Sequence, residues 1–122
     1  MAGSSKFDGI DAALKEFVDR HIHGWSDEDW RGLLGHLADE GHDVDDTGTL
    51  GLRLERAHIL STLERLALPG IGARRREHVA DHFPSLWVLR NASVEQLAEL
   101  PSFHRGLADK LHDGLNRRTG GF

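Results

Sequence analysis

The chain has 122 residues, with 20 Asp/Glu, 15 Lys/Arg, 9 His and no Cys, and a formal net charge of −5. That length points to one domain or two small ones. The missing cysteines exclude disulfides and thiolate-ligated zinc, and the acidic total excludes a protein that is basic over its whole surface. The charge is unevenly spread: residues 1–66 hold 14 Asp/Glu against 7 Lys/Arg, net −7, and residues 67–122 hold 6 against 8, net +2. Only the second half suits a polyanionic partner. No apolar run approaches the roughly 18 residues of a membrane span, and the opening MAGSSKFDG lacks the apolar stretch of a signal peptide. A cytoplasmic protein with no membrane partner is expected.

No sustained period-2 alternation marks a strand; helical spacing recurs instead, so the class is all-α. Ile10, Ala13, Leu14, Phe17, Val18 and Ile22 form one apolar stripe, which Gly24 ends. In WSDEDW, Ser26 reads as an N-cap and Asp29 as the acid of a capping box, with Trp25 and Trp30 as a hydrophobic staple. That helix carries Trp30, Leu33, Leu34 and Leu37 to about Gly41. After the acidic loop GHDVDDTGT a third helix is predicted from about Leu50 to Ala67, with Leu52, Ile59, Leu60, Leu63 and Leu66 inward. Further helices are predicted at about 73–82, 85–91, 94–100 and 104–117. Trp87 is placed in the core with Leu86 and Leu89, and residues 119–122 are read as a frayed tail.

The second half repeats itself at a shift of 32 residues. Leu68-Pro69 falls on Leu100-Pro101, Gly70-Ile71-Gly72 on Ser102-Phe103-His104, Val79 on Leu111, Asp81 on Asp113 and Phe83 on Leu115. Each unit is a helix, a hairpin and a helix, and PSLWVLRNAS joins the two. Glycine adopts positive φ at no steric cost and lets a backbone approach a ligand. In PGIG the turn feeds a helix at Ala73, whose free N–H groups and dipole favour an anion. Ile71 is expected to plug the hairpin into the core. Arg74, Arg75 and Arg76 crowd a helix N-terminus that disfavours cations, which points to an external anion there. Backbone phosphate, contacted without reading sequence, fits.

Residues from about 63 to 117 resemble the tandem helix-hairpin-helix domain at the C-terminus of bacterial excision nucleases of the UvrC family. The resemblance is carried by PGIG followed by RRR, by HFPSL, by LRNASVEQLAELP and by GLADKL, with their spacing. It implies non-sequence-specific binding of double-stranded or junction DNA through both hairpins, in repair or recombination. The implied DNA-binding residues are Gly70, Ile71, Gly72, Arg74, Arg75 and Arg76 in the first unit, and Ser102, His104, Arg105, Gly106 and Lys110 in the second. Ser102 stands where the resemblance expects glycine, and Glu77 and Asp81 stand where lysine is common. Residues 1–62 do not resemble the family's nuclease domain and carry no recognisable catalytic constellation, so the chain is expected not to be an enzyme and to need no cofactor. The expected organisation is an acidic helical region, 1–62, packed on the tandem domain, 63–118. The alternative use of the same fold is a protein-interaction or homodimerisation module with an acidic docking surface.

Two other constellations invite a metal. Asp43, Asp45, Thr47 and Gly48 match the start of a calcium loop, but the twelfth position is Leu54 and Glu55 comes one residue late. His78 and His82 have metal-ligand spacing but no third ligand. No metal site is assigned.

Overall fold

Four helix starts have a local cause in a side-chain cap. Ser26 accepts from the Asp29 amide while the Asp29 carboxylate accepts from the Ser26 amide, closing the expected capping box. Asp46 accepts from the Thr49 amide at 3.0 Å. Ser85 caps one short helix, and Ser93 with Gln96 forms a second capping box on the next. The helices of the computed structural model are α1 (Ala2–Arg20), α2 (Asp27–Asp39), α3 (Thr47–Leu66), α4 (Ala73–His82), α5 (Leu86–Arg90), α6 (Val94–Ala98) and α7 (Arg105–Gly120). The structure describes the backbone of residues 2–120 and the side chains of residues 9–116, among which there is no strand. The protein is all-α. The last helix runs to Gly120, past the expected end at 117, so residues 119 and 120 are helical; 121 and 122 lie outside the described residues.

The apolar side chains form two cores. Ile10, Leu14, Phe17 and Val18 of α1 meet Leu33 and Leu37 of α2 and Leu50 and Leu54 of α3. Ile59 and Leu63 of the same α3 enter a second core with Ile71, Val79, Leu86, Leu89, Leu97, Leu111 and Leu115. The expected division at 62/63 therefore falls inside an unbroken helix that serves both cores.

Two expected core residues are on the surface. Leu52 is 62% exposed, because Leu50 and Leu54, four apart, take the inward face and residue 52 lies about 160–200° away from them. Trp87 is 73% exposed, because the five-residue α5 buries only Leu86 and Leu89 on its inward side.

The two predicted hairpins have the same backbone. The Ile71 amide donates to the Leu68 carbonyl at 3.2 Å and the Phe103 amide to the Leu100 carbonyl at 3.0 Å. Proline occupies the second place of each turn. The third holds Gly70 at φ 85° and Ser102 at φ 68°. A proline followed by a left-handed residue is the signature of a type II turn. The second turn thus keeps the shape of the first although serine replaces glycine. At Gly70 a side chain would be excluded twice, by φ and because a Cβ would come within 3.0 Å of Leu107 Cδ2.

His58 is a buried polar group near the junction of the cores. Its Nε2 donates to the Ile22 carbonyl at 2.8 Å, and its ring lies 4.9 Å from that of Trp25. Burial holds its pKa below the usual imidazole value; the Ile22 bond works the other way, and the Arg90 and His23 charges add to the lowering. The folded state therefore binds this proton less readily than the unfolded chain. Its contribution is complete above an unfolded pKa of about 6.5 and declines as pH falls below it, towards the folded pKa. The half-buried Glu55, whose pKa burial raises, has the opposite slope.

Two outcomes follow. In thermal melts between about pH 5 and 7.5, the wild type should lose stability on acidification more steeply than His58→Gln, which keeps a donor for Ile22 but does not titrate; parallel pH profiles would refute the assignment. Ser102→Gly should raise stability by about 0.5–1 kcal/mol, since a left-handed non-glycine residue costs about 1–2 kcal/mol and the extra unfolded-chain entropy offsets part of that. The midpoint of a melt should then rise by about 2–4 °C.

Candidate nucleic-acid interface

The two turns lie side by side at one edge of the second core. Ile71 is buried there and Phe103 half-buried, each anchoring its turn from below. Gly70, Gly72, Ser102, His104 and Gly106 are exposed around them. All of the expected DNA-binding residues except Lys110 thus fall on the two turns or within the first helical turn beyond them. Lys110 follows on the exposed side of α7.

The first turn leaves its helix start open. Gly72 is the N-cap of α4, with extended backbone and no side-chain capping bond. The first intrahelical bond is Arg76 N–H to the Gly72 carbonyl, 3.0 Å, so the amides of Ala73, Arg74 and Arg75 have no partner within the helix. A Cβ built on Gly72 would meet nothing within 4 Å, so the backbone here is open to approach.

The second turn closes its helix start with a side chain. His104 Nδ1 accepts from the Gly106 amide at 3.1 Å and, more weakly, from the Leu107 amide at 3.4 Å. Gly106 makes room for this, since a Cβ there would come within 3.1 Å of the His104 ring. With Nδ1 accepting, the proton of the neutral ring sits on Nε2. The two turns therefore share a backbone but offer different groups: peptide N–H at the first, an imidazole N–H at the second.

The arginines divide as well. Arg74 is exposed, and among the described residues its side chain makes no hydrogen bond or ion pair. Arg75 donates from Nε to the Ser102 carbonyl and from Nη1 to the Gly70 carbonyl, both at 2.9 Å. Arg76 is half-buried, with a long contact from Nη1 to the Ile71 carbonyl at 3.4 Å. So two of the three cations crowding this helix N-terminus meet turn carbonyls. Arg105 pairs with Glu95 at 3.7 Å. Asp81 is not a free acid beside the patch; it pairs with Arg56 of α3 at 2.8 Å. Glu77 remains exposed.

Two residues absent from the expected set also join the turns. His78 Nδ1 donates to the Pro101 carbonyl at 3.0 Å, and Leu107 packs against Gly70. The repeat held a signal for Leu107, which falls on Arg75 at the 32-residue shift. His78 carried none.

Three of the possible metal positions, Asp43, His78 and His82, are used otherwise. Asp43 accepts from the Asp45 amide, and Asp46 caps α3. His82 Nδ1 donates to the His78 carbonyl. Among the described residues no three His, Cys, Asp or Glu side chains are grouped to hold a metal ion, and no helix is long and apolar enough to cross a membrane. A separate shallow cleft of about 340 Å³, lined by His23, Trp25, Glu55, His58, Trp87 and Arg90, lies further back along α3. Residue 58 is about 12 Å from the end of α3 that leads into the first turn.

Comparison with known proteins agrees with the motifs. The chain is 34% identical over 83 residues to UvrABC system protein C of Aliivibrio fischeri, covering 68% of this chain and 13% of that protein. It is 37% identical over 79 residues to the protein of the same name from Escherichia coli O1:K1, covering 65% and 12%. It is 29% identical over 113 residues to that of Photorhabdus laumondii, covering 93% and 18%. An alignment of 113 residues takes in part of the N-terminal half as well. No family model and no solved structure matches the chain. The chain is therefore similar to UvrABC system protein C, in keeping with the resemblance carried by residues 63–117, and spans less than a fifth of the length of these relatives.

Proposed function

We propose that the chain binds double-stranded or junction DNA without sequence preference, through backbone phosphates held at the two helix-hairpin-helix turns, and that it serves DNA repair or recombination. The observation that carries this reading is the open start of α4. Three peptide N–H groups without a helical partner sit beside the unpaired Arg74, on a backbone that nothing obstructs. A helix N-terminus with a neighbouring cation is a ready site for one phosphate. The similarity to UvrABC system protein C supports the same reading. At the second turn the His104 Nε2–H and the cations Arg105 and Lys110 take a second phosphate, more weakly, because the peptide groups are capped and Arg105 is paired. Contacts of this kind fix register on the duplex and carry no sequence information. Binding of this kind uses only peptide groups, an imidazole N–H and fixed cations, so it needs neither cofactor nor catalytic residues.

A second reading is a protein-docking or dimerisation module, and the exposure of both Leu52 and Trp87 favours it. Light scattering with and without DNA separates the two, since a dimer indifferent to DNA and salt would favour docking.

Fluorescence anisotropy with duplex, forked and bubble DNA over a salt series tests the first reading. Affinity should fall steeply with salt, in proportion to the phosphates engaged. Arg74→Glu should weaken binding by about tenfold or more, whereas Arg105→Glu should cost less, because its charge is already shared with Glu95. Absence of binding at low salt to all three DNAs would overturn the reading.

A further inference from the structure

We infer that Arg75 is a positioning residue, which locks the two turns at a fixed separation so that they engage two phosphates together. The inference rests on the proposed DNA-binding role of the turns. The guanidinium reaches the carbonyls of Gly70 and Ser102, both at 2.9 Å. These are the same position in the two units, the left-handed third residue of each turn. Arg75 therefore bridges equivalent points of the repeat.

The tie is reciprocal. Leu107, the residue equivalent to Arg75 in the second unit, is buried against Gly70 of the first turn. Residue 75 thus holds turn two and residue 107 holds turn one, as in contacts made across a two-fold axis. One half of the joint is polar and the other apolar. His78 adds a second bond from α4 to the second turn, through the Pro101 carbonyl.

Guanidinium chemistry explains why this position is arginine. Two donors in a rigid planar fork can satisfy two carbonyls on different segments at once; a lysine ammonium on a flexible stem has no such fixed directions. The bonds are charge-assisted, on a half-buried side chain. Two turns held rigidly present their phosphate-binding groups already spaced, so engaging the second phosphate costs little further ordering. If the joint loosens, the turns bind as independent, weaker sites.

Arg75→Lys tests this on the full chain, because it keeps the charge and removes the fork. Arg31→Lys, at an exposed position of α2 away from both turns, is the control. Anisotropy on a labelled duplex over a salt series gives both affinity and its salt slope, recorded where melts show each variant fully folded. Arg75→Lys should lose affinity about tenfold, the worth of one charged hydrogen bond. Its salt slope should become shallower, because fewer phosphates are engaged together. Arg31→Lys should leave both unchanged. Without DNA, the amide resonances of Ser102 and Phe103 should move in Arg75→Lys and not in Arg31→Lys. Leu107→Val, which alters no charge, should reproduce the shallower slope. Wild-type affinity and slope in Arg75→Lys, or equal losses in the two lysine variants, would overturn the positioning role and leave DNA binding standing. Failure of the wild type itself to bind at low salt would overturn both.

Discussion

One helix has to satisfy two cores, and the rest of the molecule is arranged around that requirement. Leu50 and Leu54 of α3 are buried with α1 and α2, while Ile59 and Leu63, further along, are buried with α4 to α7. A rigid helix cannot serve two centres of packing with one narrow stripe, so its buried positions shift round the axis along its length. The polar residues that share its inner side follow from this. His58 is buried but bonded to the Ile22 carbonyl, and Arg56 reaches across to Asp81 of α4. The acidic N-terminal half thus braces the helix that delivers the chain into the first turn.

That turn and its repeat meet a second constraint, the need for a left-handed residue after Leu-Pro. Glycine meets it at position 70 without strain, and serine meets it at 102 with some. The persistence of the turn despite this cost argues that the surroundings over-determine it. Phe103 is held in the core below, and the carbonyls of Pro101 and Ser102 accept from His78 and Arg75. The same bonds answer the question posed by three arginines at a helix N-terminus. A cation is poorly placed beside free peptide N–H groups, but Arg75 folds back on carbonyls, whose dipoles point the other way. Arg74 is left in solvent beside the open amides of α4.

Much of this was legible in the sequence because it depends on neighbours in the chain. The capping box of Ser26 and Asp29, the bounds of α4, the burial of Ile71 and the equivalence of the two turns all follow from spacing and local backbone preference. Where the sequence misled, the error lay in which side of a helix faces inward. Leu52 and Trp87 are as apolar as their buried neighbours, and only the direction of packing separates them. In a helix as short as α5, two inward positions complete the face, and no periodic pattern is long enough to tell which two.

The sequence by itself determined that the chain is all-α, that its second half holds two Leu-Pro turns 32 residues apart, and that cations gather beside the first. Those properties arise from short-range steric and hydrogen-bonding rules that act within a few residues. Only the tertiary structure decided what each cation and each amide does. Arg75 bonds carbonyls separated by 5 and 27 residues, and His104 turns its ring onto the start of its own helix while Gly72 leaves the matching start uncovered. Residues 74 and 75 are identical in type and adjacent in sequence. They differ in role because folding brings the second turn within reach of one of them and leaves the other in water.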